Sequence, residues 1–253
     1  MQPIGRSYAI MIDIHSHILP GIDDGPDRLS QSVNFVTQAY SQGVTAIFAT
    51  PHSMDGVYQA TPRDIISKCS LLTTELKKNN IPVQILPGSE IRLTHDTVSL
   101  YDQDRLMTLN NKGTHILLEL PPLFITEGVL HIIRKLTQRG VVTIIAHPER
   151  NPSIIKNLNT LSKLIYEGAL MQITATSLTG GFGKRAMKIC EQMLDNDAVS
   201  FIGSDIHPGR SYRMLDAYNK TLKIAGEKTA DTIFLKNPRE IMVFAAEGMN
   251  CAE

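Results

Sequence analysis

The strongest constraint on this chain is a rhythm. Short apolar segments alternate with helix-like ones, and a side chain able to bind a metal stands at the end of most apolar segments. His15 with His17, His52, Glu90, Glu119, His147, and Asp205 with His207 all occupy such positions. From His17 to His52, Glu90, Glu119 and His147 the steps are 35, 38, 29 and 28 residues. Each step is about the length of one strand–helix unit, roughly 30 residues. Scattered core histidines have no reason to keep that register.

Local signals give the elements. Residues 8–17 alternate, with Ile10, Ile12 and Ile14 on one side and Asp13, His15 and His17 on the other. Residues 30–42 carry Val33, Val36 and Tyr40 at helical spacing and stop at Gly43. Thr61-Pro62 places a cap before a proline at the first helical position, opening a helix to Lys78. Further strands are expected at 44–50, 83–86, 114–120, 141–146, 169–174 and 199–202. Further helices are expected at 128–139, 153–166, 184–194, 212–225 and 238–246. Strands separated mostly by helices predict a mainly parallel sheet covered on both faces. In a closed α/β barrel the carboxyl ends of the strands converge on one face, where active sites are built. No linker divides the chain, so one domain is expected, with 93–111 as a long insertion.

Composition narrows the function. Lys+Arg and Asp+Glu number 25 each, for zero formal charge. That balance argues against a polybasic arm for nucleic acid or an anionic membrane surface. No apolar run approaches the roughly 18 residues of a membrane span, and the start shows no apolar signal-peptide core. The three cysteines (Cys69, Cys190 and Cys251) form no CxxC pair, so disulfides are not expected and a reducing cytoplasm is the expected compartment. His15-Ser16-His17 on a strand places two imidazoles on one face, about 6.5–7 Å apart at the backbone, which suits two ligands of one metal. Alone, HxH is a weak signal, and Asp23-Asp24-Gly25-Pro26 in isolation reads as a plain turn. Imidazoles and carboxylates without thiolate favour Zn, Mn or Fe. More than four candidate ligands suggest several ions, which together can clamp a phosphoryl oxygen.

Seven strings occur in order: Asp13-Ile14-His15-Ser16-His17, Gly21-Ile22-Asp23-Asp24-Gly25-Pro26, Thr50-Pro51-His52, Gly88-Ser89-Glu90-Ile91, Glu119-Leu120-Pro121, Ala146-His147-Pro148-Glu149-Arg150-Asn151 and Ser204-Asp205-Ile206-His207. Together they resemble the polymerase-and-histidinol-phosphatase (PHP) superfamily. More closely, the chain is similar to the bacterial metal-dependent tyrosine-protein phosphatases encoded with capsule and exopolysaccharide genes. The resemblance runs from Met11 to near the C-terminus. HxH is common to the superfamily, whereas the IDDGP and AHPERN strings are specific to this branch.

The resemblance implies a single-domain α/β fold, a distorted (βα)7 TIM-like barrel over 11–253, with 1–10 as an extension of no assigned role. It implies two to three divalent cations, manganese first and iron or zinc as alternatives. Their ligands are His15, His17, Asp24, His52, Glu90, Glu119, His147, Asp205 and His207, with Glu90 bridging two ions. Arg150 and Arg210 match phosphate-holding residues, and Asp205 or His207 is a candidate proton donor. The implied substrate is the phosphotyrosine tail of a bacterial tyrosine autokinase that regulates polysaccharide synthesis. No nucleic acid and no membrane insertion are expected, and oligomeric state is left open. Two other readings keep the metal site: a small-molecule phosphomonoesterase of histidinol-phosphatase type, and a non-catalytic metal-binding partner of the kinase.

One departure bears on the substrate. Where relatives carry a second histidine and basic residues after the third motif, this chain reads His52-Ser53-Met54-Asp55-Gly56, so its rim is less positive. Outside the motifs, His95, His115 and His131 read as structural or solvated. No cysteine has the five-residue spacing to arginine used by thiol phosphatases. Gly180-Gly181-Phe182-Gly183-Lys184-Arg185 lacks the phosphate-loop ending and reads as a loop at the barrel mouth.

Overall fold

Every strand pairing in the computed structural model, which describes residues 10–53, 56–122 and 124–243, is parallel. The order is β1 (Met11–Ser16), α1 (Leu29–Ser41), β2 (Val44–Ala49), β3 (His52–Ser53), α2 (Pro62–Lys78), β4 (Gln84–Pro87), β5 (Glu90–Arg92) and α3 (Thr97–Asp102). Next come β6 (His115–Glu119), α4 (Glu127–Thr137), β7 (Val142–Ala146), α5 (Pro152–Lys156), α6 (Asn159–Tyr166) and β8 (Leu170–Thr174). The chain continues through α7 (Ala175–Leu178), α8 (Gly183–Asp195), β9 (Phe201–Gly203), α9 (Met214–Asp231) and α10 (Asn237–Val243). Two parallel sheets result, ordered β1-β2-β4 and β3-β5-β6-β7-β8-β9.

The sheets are joined by strands that break and resume. Only Thr50-Pro51 separates β2 from β3, and only Gly88-Ser89 separates β4 from β5. Pro51 has no N–H for a ladder, so pairing stops there; its carbonyl still accepts from Glu90 N at 3.1 Å. At the other end, the chain leaving β9 returns to β1. Asp205 N donates to His15 O at 2.8 Å, and His17 N donates to Ile206 O at 3.2 Å. Gly203 is needed at this junction, because a Cβ there would lie 2.7 Å from His15 Cβ.

Alternate residues along the strands feed two apolar clusters. Ile12 and Ile14 of β1, Phe48 of β2, Leu86 of β4, Leu117 of β6, Ile144 of β7 and Phe201 of β9 meet in one, together with Leu109 and Ile241. Their strand neighbours, including Ile47, Ile85, Leu118, Ile145 and Ile202, join the larger cluster with helix residues such as Val36, Leu72, Ile133 and Leu164. Buried side chains of this size each cost about 2–5 kcal/mol when truncated to alanine, so the strand ends rest on a well-supported base.

Most expected elements form. At α2 the expected cap is present as a box: Thr61 Oγ1 accepts from Asp64 N, and the Asp64 side chain accepts from Thr61 N. Other expectations are corrected or refined. The single helix over 153–166 is two helices, because Asn157 turns extended (φ −147°) and its side chain accepts from Asn159 N at 3.1 Å. The helix expected to end at 225 does break there: Gly226, at φ 82° and ψ 170°, is non-helical, and helical turns resume beyond it to Asp231. The insertion over 93–111 contains α3. Strict alternation in β1 also fails: its ladder with β2 shifts register between Asp13 and Ser16. Asp13 accepts from Tyr212 Oη at 2.6 Å, from Ser204 N at 2.9 Å and from His15 N at 3.2 Å. Residues 1–9, Met54, Asp55, 244–246 and Cys251 lie outside the described residues. Among the described residues no helix is long and apolar enough to cross a membrane.

Candidate metal centre

The carboxyl ends of the strands bring the expected ligands together. His15 closes β1 and His17 follows it, His52 opens β3, Glu90 opens β5, His147 follows β7, and Asp205 and His207 follow β9. Three groups of potential ligands form: His17, Asp24, His52 and His207; His15, His17 and Asp205; and His15, Glu90 and His147. His15 and His17 are shared between groups, so the three positions abut. Eight of the nine expected ligands take part.

Glu119 does not join them. Its Oε2 accepts from both Arg92 Nη2 at 2.8 Å and Arg92 Nε at 3.1 Å, so one oxygen of the carboxylate is tied to Arg92. Glu119 nevertheless lines a cavity of about 260 Å³ beside His147 and Arg150.

Tautomers can be read from the surroundings, and they test whether cations fit. Gln172 Nε2 donates to Ile173 O at 2.8 Å, which leaves its Oε1 facing His15 Nδ1 at 2.8 Å. His15 therefore carries its proton on Nδ1. His17 Nδ1 meets Asp23 Oδ2 at 2.6 Å, with the same consequence. Both Nε2 atoms face each other at 3.2 Å, and each lies 3.2 Å from Glu90 Oε2. So tight a buried cluster calls for positive charge, which protons on the imidazoles supply without an ion and which a cation, taking all three atoms as ligands, would supply in their place. His207 repeats the pattern, with Nδ1 on Asp205 O at 3.0 Å and Nε2 3.2 Å from Asp24 Oδ1. The donor set, imidazole and carboxylate, suits divalent manganese, iron or zinc.

The electrostatics agree. Burial opposes charge on His15, yet Glu90 and Asp205 hold its pKa above the ordinary range. Burial likewise opposes charge on His17, and Asp23 and Glu90 overcome it. Against its own burial, Glu90 is held well below the usual carboxylate range by His15 and His147. His207 is pushed down to about 4 by burial and by His17, whose ring stacks on it at 4.0 Å. The pocket thus demands positive charge among its carboxylates.

Two ligand positions have left-handed backbones: His147 at φ 34° and Asp205 at φ 49°. Such conformations are uncommon outside glycine and asparagine and cost about 1–3 kcal/mol. Each turns the chain sharply at a strand end and aims the side chain into the pocket.

Beside the pocket lie the two expected phosphate-holding residues. Arg150 Nη1 donates to Asp205 Oδ2 at 2.7 Å, and Arg210 Nη1 donates to the same oxygen at 3.0 Å. Both guanidiniums also lie over the ring of Phe182, with Cζ at 5.0 and 5.2 Å from its centroid. Asp23, Gln172, Arg92 and Phe182 received no role from the sequence. Asp23 stands in one of the strings that carry the resemblance, and that resemblance also takes in Gln172-Ile173-Thr174-Ala175 and Gly180-Gly181-Phe182-Gly183, but no string names what these side chains touch. The partners of Phe182 come from distant segments, whereas Asp23 reaches His17 and Gly25 in its own loop and His52 across the fold.

Comparisons with known proteins follow the same direction. The family model described as capsular polysaccharide synthesis, CpsB/CapC, matches residues 11–243. The tyrosine-protein phosphatase YwqE of Bacillus subtilis is 36% identical over 197 residues, covering 78% of this chain and 77% of that protein. The tyrosine-protein phosphatase CpsB of Streptococcus agalactiae is 30% identical over 240 residues, covering 92% and 98%. Among solved structures, one from the work on YwqE of B. subtilis and CpsB of Streptococcus pneumoniae, described as metal-dependent tyrosine phosphatases, superposes with a TM-score of 0.86. It is 32% identical, and the match covers 92% of this chain and 94% of the other. The histidinol phosphate phosphatase of Lactococcus lactis, 15% identical with a TM-score of 0.57 over 85% and 94%, shares the fold.

Proposed function

Because the chain belongs to the CpsB/CapC family of capsular polysaccharide synthesis, we propose that it is a metal-dependent protein-tyrosine phosphatase. Its substrate on this reading is the phosphotyrosine tail of a bacterial tyrosine autokinase in the cytoplasm. The observation that carries the proposal is the convergence of the His15 and His17 Nε2 atoms on Glu90 Oε2 beside a paired Arg150 and Arg210. Return of the β9 end to β1 supports a closed seven-stave barrel, with β2–β3 and β4–β5 each counted as one stave.

The ligands on this reading are His15, His17, Asp24, His52, Glu90, His147, Asp205 and His207. Glu119 would join after release from Arg92. Two or three divalent cations, manganese first, supply Lewis acidity toward a phosphoryl group and acidify water at neutral pH. The chain's own groups do the rest. Arg150 and Arg210 present forked donors to the phosphoryl oxygens and stabilise charge that grows there, most of what phosphoryl transfer asks of a protein. Asp205 Oδ2 holds both guanidiniums at the edge of the pocket until substrate oxygens take over some of their donors. Gln172 and Asp23 keep the imidazole protons on Nδ1 and the Nε2 lone pairs aimed inward. Tyrosinate, with a parent pKa of about 10, leaves with only modest acid assistance.

The test compares a phosphotyrosine peptide, a phosphoserine peptide and histidinol phosphate, with Mn²⁺ or a chelator. Turnover of the phosphotyrosine peptide should lead, vanish with EDTA and His147→Ala, and return with Mn²⁺. Much faster turnover of histidinol phosphate would overturn the protein-phosphatase assignment, and activity surviving both EDTA and His147→Ala would overturn the metal mechanism.

A further inference from the structure

Phe182 is 38% exposed at the mouth of the pocket, although no sequence motif gives it a role. The turn that carries it is held tightly. Gly181 N donates to Thr176 O at 2.8 Å, Gly183 N donates to Gly180 O at 3.0 Å, and a Cβ at Gly181 would lie 2.5 Å from Thr176 Cγ2. The ring is therefore presented at a set height at the start of α8. It touches both arginines through cation–π contacts, a kind of contact worth about 0.5–1 kcal/mol at exposed sites. Arg150 and Arg210 also share one Asp205 oxygen, within 3.0 Å of each. Guanidiniums that meet at one oxygen cannot stand opposed across a phenyl ring. Part of the ring accordingly stays uncovered, next to the donors that would hold a phosphate.

A phosphate ester gripped by Arg150 and Arg210 must direct its organic group away from the buried ligands, past this rim. An alkyl group gains little from a ring there. An aryl group can stack on it or meet its edge, an interaction worth about 0.5–1.5 kcal/mol beyond burial. We propose that Phe182 is a specificity-determining residue that selects aryl over alkyl phosphate esters by forming an aromatic wall beside the Arg150–Arg210 pair. This rests on the phosphatase reading above and adds the residue responsible for its substrate class.

The test uses the full chain loaded with Mn²⁺ and the variants Phe182→Ala, Phe182→Leu and Phe182→Tyr, each first checked for unchanged metal content and Tm. Binding of phenylphosphonate and methylphosphonate is titrated beside kinetics on the phosphotyrosine peptide. The alanine and leucine variants should lose about three- to tenfold in phenylphosphonate affinity, the size expected of an aromatic pair. Peptide kcat/KM should fall to match, mainly through KM, while methylphosphonate affinity holds and Phe182→Tyr behaves as the parent. Equal weakening of both phosphonates overturns the proposal and leaves the ring as a support for the arginines. No change in either, or retained phenyl selectivity in Phe182→Leu, also overturns it. If the parent protein takes up metal yet hydrolyses no aryl phosphate, the phosphatase reading fails, and the phosphonate ratio still decides the role of Phe182.

Discussion

Asp205 and Arg150 meet at 2.7 Å through Oδ2, while the other oxygen of the same carboxylate faces inward, 3.6 Å from both His15 and His17 Nε2. One side chain thus joins the candidate metal centre to the candidate phosphate grip. The buried carboxylate is held well below the ordinary range, against its burial, by His15, Arg150 and His147. A charge so placed can organise both halves of the pocket, and a neutral replacement should separate their contributions.

Asp205→Asn should lower both metal content and activity, with kcat/KM falling about 10²–10³-fold, the size seen when one organised charge-stabilising group is lost. Arg150→Ala should lower kcat/KM comparably and leave the number of bound ions unchanged. Elemental analysis of the purified variants beside phosphotyrosine-peptide kinetics checks the split. An ion count that falls equally in both would show that Arg150 supports the ligands themselves.

Asp23 accepts from His17 Nδ1, from Gly25 N at 2.9 Å and from His52 N at 3.1 Å. Asp23→Asn keeps the shape but relaxes the choice of tautomer at His17. Metal affinity should fall about 10- to 100-fold, as for other partners that orient a ligand, while the folded content by circular dichroism stays the same. Competition with a metal-sensitive dye measures the affinity. A value equal to the parent would remove Asp23 from the site.

Gly203→Ala puts a methyl group 2.7 Å from His15 Cβ and 3.1 Å from Gln172 Nε2. Overpacking of this kind costs about 1–3 kcal/mol. The variant should be less stable by that amount in urea unfolding. It should also bind metal more weakly, because the residue displaced is a proposed ligand and the other neighbour faces that ligand's Nδ1. A milder variant elsewhere on β9 with equal loss of stability separates the two effects.

Burial pushes the Cys69 thiol up to about 12 and raises Cys190 as well. A raised thiol pKa leaves little thiolate at pH 8, and alkylation needs the thiolate. Both residues should resist iodoacetamide in the folded protein at pH 8 and react once it is unfolded in urea. Peptide mass spectrometry reads both sites. Phosphatase activity should survive the same treatment, since neither thiol belongs to the candidate ligand groups.

Much of this molecule is legible from local pattern. A strand buried on both faces followed by a helix has a characteristic length, so the polar residue that ends each strand recurs at nearly that period. His17, His52, Glu90 and His147 could be placed on one face by this means alone. The cap at Thr61 and the stop at Gly43 are equally local, since each depends on neighbours within one helical turn. What local pattern cannot supply is the partner of a side chain that reaches across the fold. Asp13 is tied to Tyr212 and Ser204, 199 and 191 residues away in the chain, and no pattern within β1 announces either partner.

The sequence by itself determined the alternation of elements and the register of the histidines and glutamates at the strand ends, which follow from periodicity and residue chemistry, whereas Asp24, Arg150 and Arg210 were marked only by the family resemblance. Tertiary structure alone decided which oxygen of Asp205 faces inward, that Asp23 orients His17, that Arg92 holds Glu119, and that Phe182 stands beneath two guanidiniums. Apart from Asp23 and His17, which one loop connects, each of those facts joins side chains from segments that meet only when the strand ends converge. Hydrogen bonds and ion pairs act over about 3–4 Å, a scale set by packing and not by position in the chain.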